Sequence, residues 1–170
     1  MAVDIEKYKL LYEFQQEQFA SERQRFTRLE DKSIKYLTSI SIAITLYILL
    51  IRWAFEKIVP PSDFLGWLTV CSVAITFLAI SSAWSFIFQS IKLQNLIKMQ
   101  SDKTMIEYFK INKREVVYLG LAKKYSEATE KIEIEIEKKL KYINKGYAEI
   151  VFSAWCFFIS TILIFIKIWP

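Results

Sequence analysis

The residues of this sequence that could do chemistry are basic and aromatic. Between residues 103 and 125, basic side chains alternate with rings, at Lys103, Lys110, Lys113, Arg114, Lys123 and Lys124, and at Tyr108, Phe109, Tyr118 and Tyr125. Positive charge beside aromatic rings suits an anionic ligand that contains a base. The alternative is an ordinary basic flank of a membrane protein with rings that belong to a core. The sequence leaves both interpretations open.

The sequence lacks the groups on which most enzyme active sites depend. It has no histidine, which excludes Ser-His-Asp and Cys-His arrangements and Cys₂His₂ zinc sites. Three glycines provide no phosphate-cradling loop, and two cysteines, Cys71 and Cys156, are too few for a disulfide framework. Carboxylates or lysines could still support catalysis, but no convergent cluster of them is evident. We therefore expect a protein that is not an enzyme and has no metal or cofactor.

The net charge of +5 is confined to one stretch of the chain. Residues 92–124 contain eight basic and three acidic side chains. Residues 1–36, the loop at 52–63, residues 125–147 and the C-terminal segment each sum to zero. The charged stretch is therefore where we expect an anionic lipid, nucleotide or oligonucleotide to bind.

Three stretches are apolar enough to cross a membrane as helices. Residues 64–91 provide 28 consecutive residues without a formal charge, and residues 150–166 provide 17. Residues 36–51 provide 16 more, and counting from Ile34 to Trp53, with Lys35 and Arg52 near the ends, gives 20 residues. A helix needs about 20 predominantly apolar residues to span the hydrocarbon core. Pro60 and Pro61 stop the first helix and Ser62 or Asp63 can cap the second, which predicts a hairpin. The length of the three apolar stretches disfavours the alternative that they are buried helices of a soluble protein.

The distribution of lysine and arginine predicts the orientation in the membrane. Seven lie in residues 1–35, two in residues 52–63, thirteen in residues 92–147, and the last is Lys167. Positive residues concentrate on the cytoplasmic side. We therefore expect the N-terminus and residues 92–147 in the cytoplasm and the C-terminus outside. About 30 charged and amphipathic residues precede the first span, so the N-terminus does not resemble a signal peptide.

Hydroxyl side chains recur along the spans, whereas no charged residue lies in the middle of any span. The absence of intramembrane ionisable groups argues against a secondary transporter or proton pump. On the first two spans the hydroxyls follow steps of three and four residues, at Thr38, Ser41, Thr45, Thr69, Ser72 and Thr76. Such residues commonly mediate helix packing, and they can also line a pore. Three helices cannot enclose a channel, so a pore would require an oligomer.

The segments outside the spans are also predicted to be helical. Residues 4–32 carry a heptad-like stripe that suits packing within the chain or a coiled coil between chains, made of Ile5, Tyr8, Tyr12, Phe19, Phe26 and Leu29. Residues 125–147 carry a second stripe, at Ile132, Ile136, Leu140, Ile143 and Tyr147. Three favourable pairs support a helix here over a strand, namely Glu127–Lys131, Glu135–Lys139 and Glu137–Lys141.

The stretch at residues 92–124 is the least regular part of the chain. We expect the second span to continue as a helix to about Met99, and Ser101 or Asp102 to cap a short helix that ends near Lys110. Asn112 is a candidate cap for a further helix. Gly146 is a candidate kink near the membrane interface.

These patterns predict an all-α membrane protein with three transmembrane helices and long amphipathic cytoplasmic helices. The expected organisation is an amphipathic cytoplasmic helix at 1–33 and a transmembrane hairpin at 34–91. A cytoplasmic helical region at 92–147 and a third transmembrane helix at 148–170 follow.

This layout resembles the SLATT-type membrane effectors of bacterial nucleotide-linked anti-phage systems, which include the Hailong membrane effector. The matching parts are YEFQQEQFASERQRFTRLEDKSIKYL, which leads into the hairpin, and the charged segment YSEATEKIEIEIEKKLKY. The third span is an addition to the simplest two-span layout. The resemblance implies a homo-oligomeric pore in the bacterial inner membrane that a nucleotide or oligonucleotide controls, with cell death as the outcome.

We therefore expect a pore or channel effector that binds an anionic ligand and depolarises the membrane. The alternative function is a membrane anchor or scaffold whose cytoplasmic helices recruit a partner protein. A holin-like lysis protein is a third possibility, but holins need little cytoplasmic domain and residues 92–147 argue against it.

Overall fold

The computed structural model describes residues 5–92 and 103–169, and these residues form four α-helices. Helix α1 spans Ile5–Ile58, α2 Phe64–Ile91, α3 Lys103–Ile111 and α4 Arg114–Ile168. No strand occurs in the two described ranges, which confirms the all-α prediction, including the helix at 125–147. Helices α1, α2 and α4 are long and apolar enough to cross a membrane. The predicted continuation to Met99 and the cap at Ser101 or Asp102 lie outside the described residues.

The helices are divided between two compact units, and both α1 and α4 contribute to each. One unit comprises Met1–Leu29 and Leu93–Lys138, and the other comprises Glu30–Lys92 and Lys139–Pro170. The first contains the six candidate ligand-binding residues, which are five lysines and one arginine, and we call it the basic unit. The second contains the three apolar segments, and we call it the membrane unit.

Apolar side chains from all three long helices build the interior of the membrane unit. The larger cluster joins α1 to α2 and is flanked by Ile150 and Phe157 of α4; its buried members are Ile40, Tyr47, Ile80, Ala83 and Ile87. A second cluster joins Ala54 and Ile58 of α1 to Ile164 of α4. Within a bilayer, helices associate through close packing and hydrogen bonds because the lipid is as apolar as the side chains.

A buried tyrosine connects the three long helices by hydrogen bonds. The side chain of Tyr47 is fully buried, and its hydroxyl donates to the carbonyl oxygen of Val73 on α2 at 3.1 Å. The same oxygen lies 3.1 Å from the hydroxyl of Ser160 on α4. Because the single phenolic proton is directed at Val73, Ser160 is the donor in this second bond.

The turn between α1 and α2 is fixed by Asp63, one of the two caps that the sequence offered. Its carboxylate accepts a hydrogen bond from the backbone N–H of Gly66 at 3.1 Å and so caps α2. The ammonium of Lys167, in the last turn of α4, lies 2.6 Å from the same carboxylate oxygen. The hydrogen bond from Lys167 holds the pKa of Asp63 below its usual value, and the bond from Gly66 acts in the same direction.

The predicted ion pairs along α4 are arranged differently from the sequence expectation. Glu135 accepts from Lys138 at 2.7 Å, three residues away, where we had expected Lys139. Lys139 is 1% exposed, and its ammonium lies 2.7 Å from the carboxylate of Glu30 on α1. Lys139 is therefore buried. Its neighbour Leu140, which the predicted stripe had assigned to the core, is only half-buried. The carboxylate of Glu30 compensates the charge of Lys139 at this position.

Aromatic side chains form the interior of the basic unit. The ring of Tyr12 lies 5.7 Å from that of Tyr118 and 5.8 Å from that of Tyr125, and Phe19 lies 5.4 Å from Tyr125. Phe19 and Phe26 are buried, whereas Ile5, the first residue of the same stripe, is exposed. The middle of the stripe is therefore used for packing within the chain.

The corner between α3 and α4 is closed by Asn112 and Tyr108. Both the backbone N–H and the side-chain amide of Asn112 donate to the carbonyl oxygen of Tyr108, at 3.2 and 2.9 Å. Asn112 thus terminates α3, whereas we had expected it to cap the following helix. The backbone of Val117 donates to Lys113, so the start of α4 lies one residue later than predicted.

Gly146 lies within the continuous helix α4 and is buried. A Cβ atom at this position would lie 2.5 Å from Cδ1 of Ile87 and 2.9 Å from its Cγ1. The glycine therefore permits close approach of α4 to α2, a role that we had not predicted when we considered it a candidate kink.

Candidate functional site

The hydroxyl groups of α1 lie on a face that points away from the interior of the membrane unit. Thr38, Ser41 and Thr45 are all exposed. Each donates its proton to the backbone carbonyl oxygen four residues earlier, at 2.9 to 3.0 Å. This local bond satisfies the donor and leaves oxygen lone pairs that can accept from water or contact a cation. We call these three residues the hydroxyl face.

The hydroxyl face is distinct from the packed side of α1. An α-helix turns by about 100° per residue, so Thr45 lies about 160° from the buried Tyr47. Large exposed aliphatic side chains, which suit contact with lipid, border the hydroxyl face. Ile42 and Leu49 each lie about 40° from a member of that face, and Leu46 lies about 100° from Thr45. The span of α1 therefore has a packed side and an outer side, and on the outer side a narrow uncharged polar stripe is bordered by apolar side chains.

The hydroxyls of α2 are placed differently from those of α1. Thr69 and Thr76 are fully buried, and each donates to a carbonyl oxygen of its own helix at 2.8 Å. Ser72, between them, is half-buried. The six predicted residues thus do not form one group, since those of α2 belong to the packed interior and those of α1 to the outer surface.

The six predicted basic residues are all exposed, on α3, in the turn after it and on the first part of α4. Within the described ranges none of them has a carboxylate within ion-pair distance. Arg114 and Lys123 are nine residues apart on α4, which places them about 180° apart around the helix. The structure therefore presents unneutralised positive charge on several sides of α3 and α4 instead of gathering it in one pocket.

Most of the rings near these charges are already in use. Tyr118 and Tyr125 pack against Tyr12, and the hydroxyl of Tyr108 donates to the backbone oxygen of Val116 at 3.0 Å. Phe109, on α3, is half exposed. Tyr118 and Tyr125 therefore belong to a core, and the structure does not present several free rings on which a nucleobase could stack.

The sequence interpretation missed an exposed apolar patch near the start of α1. Leu10 is 70% exposed, Phe14 54% and Leu11 39%. Their spacing of one and four residues marks a second stripe beside the predicted one, so the signal was present in the sequence. Apolar side chains this exposed in the basic unit are candidates for contact with another protein.

No metal site is found in residues 5–92 and 103–169, where no three side chains of histidine, cysteine, aspartate or glutamate come together. Cys71 is exposed and Cys156 half-buried, and both are free thiols.

Comparison with known proteins identifies no relative: no family model, curated protein or solved structure matches this chain. Its function is therefore inferred from its residues and their geometry.

Proposed function

We propose that this chain is the subunit of a homo-oligomeric membrane pore that depolarises the bacterial inner membrane in anti-phage defence under the control of an anionic nucleotide or oligonucleotide. The observation that carries the proposal is the hydroxyl face of α1. Thr38, Ser41 and Thr45 lie within a span that can cross a membrane and face away from the helices of their own chain.

An oligomer in which this face surrounds a common axis would place hydroxyl oxygens along a water-filled path. Each oxygen already has its proton directed to the helix backbone, so its lone pairs can replace part of the hydration of an ion. The stripe contains no formal charge and presents only oxygen lone pairs, so its preference is for cations and is weak. A pore lined in this way suits a protein whose purpose is to collapse the membrane potential.

The control by an anionic ligand is supported by the basic unit. Six exposed cations without carboxylate partners in the described residues create a positive potential in its α3–α4 region. Because they are spread around two helices, a ligand with several phosphates can contact more of them than a single small anion can. An oligonucleotide therefore fits this surface better than a mononucleotide. The resemblance of the layout to that of SLATT-type effectors supports this proposal.

Ion flux from liposomes that contain the purified protein tests the lining of the pore. Replacing Thr38, Ser41 and Thr45 together by leucine should reduce flux at least tenfold, because water and ions lose every polar contact on this face. The matched control replaces the exposed α2 residues Cys71 and Ala74 by leucine, which should leave flux unchanged. Wild-type flux in the triple variant would refute the assignment of the lining. No flux from the wild type with any nucleotide or oligonucleotide would refute the pore itself.

Binding of a fluorescent single-stranded oligonucleotide as a function of salt tests the ligand surface. Replacing Lys113 and Arg114 by glutamine should weaken binding and reduce the slope of log affinity against log salt by about 0.7 per lost phosphate contact. Replacing the exposed Lys131 and Lys141 by glutamine gives the same change in net charge and should have a smaller effect. Equal effects of the two pairs would show that only bulk charge matters and would contradict a located site.

A membrane scaffold is the second candidate, and the exposed patch at Leu10, Leu11 and Phe14 favours it. A scaffold predicts that overexpression leaves the membrane potential intact and that replacing Leu10 and Phe14 by glutamine abolishes association with a partner. A pore predicts depolarisation that the substitutions on the hydroxyl face prevent. A membrane-potential dye in cells that express these variants distinguishes the two functions.

A further inference from the structure

A half-open groove of about 460 Å³ lies in the membrane unit between α1 and α4. Ile80 of α2 contributes to it, and its walls come mainly from apolar side chains, including Ile40, Ala43, Leu46, Ile150, Ala154 and Phe157. Its volume is typical of sites that hold a small organic molecule.

The serine hydroxyls in the wall of the groove are already satisfied. The hydroxyl of Ser39 donates to the carbonyl oxygen of Lys35 at 3.0 Å, and that of Ser153 donates to Ile150 at 2.9 Å. The groove therefore offers an apolar surface to its occupant. Since it opens on the side of helices that can span a membrane, the medium that reaches it is lipid.

The length of the groove matches one half of a bilayer. It runs from Tyr36 to Leu46 on α1 and from Tyr147 to Phe157 on α4, and the two residues at its ends are ten positions apart on each helix. At 1.5 Å per residue both walls are about 15 Å long. The hydrocarbon core of a bilayer is about 30 Å thick, so one leaflet provides acyl chains of about this length.

One end of the groove carries the residues expected where lipid meets water. Tyr36 and Tyr147 line this end, and the ammonium of Lys32 lies 5.6 Å from the centre of the Tyr36 ring. Lys35 is exposed one turn before Ser39. Within the described residues neither lysine has a carboxylate within ion-pair distance. Two cations without a protein counter-ion therefore lie where a lipid headgroup would be.

From these observations we propose that the groove is a binding site for an anionic phospholipid. One acyl chain occupies the apolar groove, and the phosphate of the headgroup contacts Lys32 and Lys35. The match in length specifies an acyl chain and the two lysines specify a negative headgroup. This inference depends on the membrane placement of the chain and is independent of whether the chain forms a pore.

The test uses the full-length protein, stripped of copurified lipid and titrated with dioleoylphosphatidylglycerol or dioleoylphosphatidylcholine. Native mass spectrometry counts the bound lipids. A phosphatidylglycerol that carries a photoreactive group in its acyl chain, supplied in vesicles, then maps the contacts. We expect one phosphatidylglycerol to be retained per chain, with cross-links at the walls of the groove, including Ala43 and Ala154.

Two variants separate the headgroup from the chain. Replacing Lys32 and Lys35 by glutamine should weaken phosphatidylglycerol binding by about fivefold per lysine and leave phosphatidylcholine binding unchanged, since each cation near a membrane contributes about 1 kcal/mol. Ala43→Phe fills the groove and should weaken both lipids at least tenfold. Ala74→Phe, at an exposed position of α2 outside the groove, is the matched control and should bind as the wild type does.

Three results would overturn the proposal. If both lipids bind equally and the substitution of the two lysines changes neither, the proposed contact with the headgroup is wrong. Cross-links spread evenly over the apolar surface would identify ordinary surrounding lipid. A change of oligomer size in Ala43→Phe without a change in bound lipid would show that a second copy of the chain occupies the groove. The ion flux of the same variants is a separate measurement, so failure of the pore does not affect this test.

Discussion

The contact between Gly146 of α4 and Ile87 of α2 gives the sharpest prediction about how the long helices are held together. In Gly146→Ala the new Cβ would lie 2.5 Å from Cδ1 and 2.9 Å from Cγ1 of Ile87. Ile87 is fully buried in the main cluster of the membrane unit, and a β-branched side chain in a helix has one strongly preferred χ1 rotamer. Rotation about χ2 can move Cδ1 away, but Cγ1 moves only with χ1, so the contact at Cγ1 cannot be relieved by simple rotation.

The size of the effect follows from two opposing contributions. Overpacking a well-filled core costs about 1–3 kcal/mol. Replacing glycine by alanine inside a helix gains about 1 kcal/mol. Gly146→Ala should therefore lower the free energy of unfolding by about 0–2 kcal/mol. In a chain that also carries Ile87→Ala, which removes both clashing atoms, the same substitution should become stabilising by about 1 kcal/mol.

Reversible unfolding in mixed detergent micelles, followed by circular dichroism, gives the free energy of unfolding of the wild type, the two single variants and the double variant. Ile87→Ala alone should cost about 2–5 kcal/mol because it leaves a cavity. The diagnostic quantity is the coupling between the two positions, which should be about 1–3 kcal/mol. If Gly146→Ala has the same effect in both backgrounds to within about 0.5 kcal/mol, the close approach of α4 to α2 is wrong.

Two further predictions concern the polar contacts of the membrane unit. Tyr47→Phe removes the hydroxyl that bonds to Val73 and Ser160 and should lower the free energy of unfolding by about 1 kcal/mol in the same assay; an unchanged stability would contradict this buried network. The hydrogen bond from Lys167 lowers the folded-state pKa of Asp63, so its stabilisation is present above the unfolded-state pKa of about 4 and is lost as the pH falls through the folded value. Unfolding measured between pH 2 and 6 should therefore show a component of acid sensitivity that is missing in Asp63→Asn, and identical pH profiles would refute it.

The hairpin could be predicted from the sequence because each of its parts has a local cause. The 28 uncharged residues of the second span, the prolines before it and the capping carboxylate of Asp63 act within a few positions of one another. The structure confirms the turn and the cap at these positions. The long helices α1 and α4 followed from stripes at helical spacing, which depend only on the chain itself.

The placement of individual side chains could not be predicted in the same way because it depends on the partner helix. The apolar stripe along α4 did not include Lys139, yet this lysine is buried, and the carboxylate of Glu30 on α1 compensates its charge. Gly146 had no local signal for packing, since its role is visible only beside Ile87. Tyr118 and Tyr125 had two plausible environments, and contact with Tyr12 decides between them.

The hydroxyls of α1 and α2 show that the surroundings of a side chain, which the sequence does not determine, also decide what it can do. Thr45 on the outer face and Thr76 in the interior make the same bond, from their own oxygen to the carbonyl four residues earlier. Because that bond satisfies the donor locally, a threonine can lie in lipid, in a packed interior or in water at little cost. Its type and spacing therefore carry no information about its surroundings, and only the direction of its face does. Substitutions on the outer face of α1 should consequently alter ion flux with little loss of stability, whereas Thr76→Leu should first disrupt the packing of the unit.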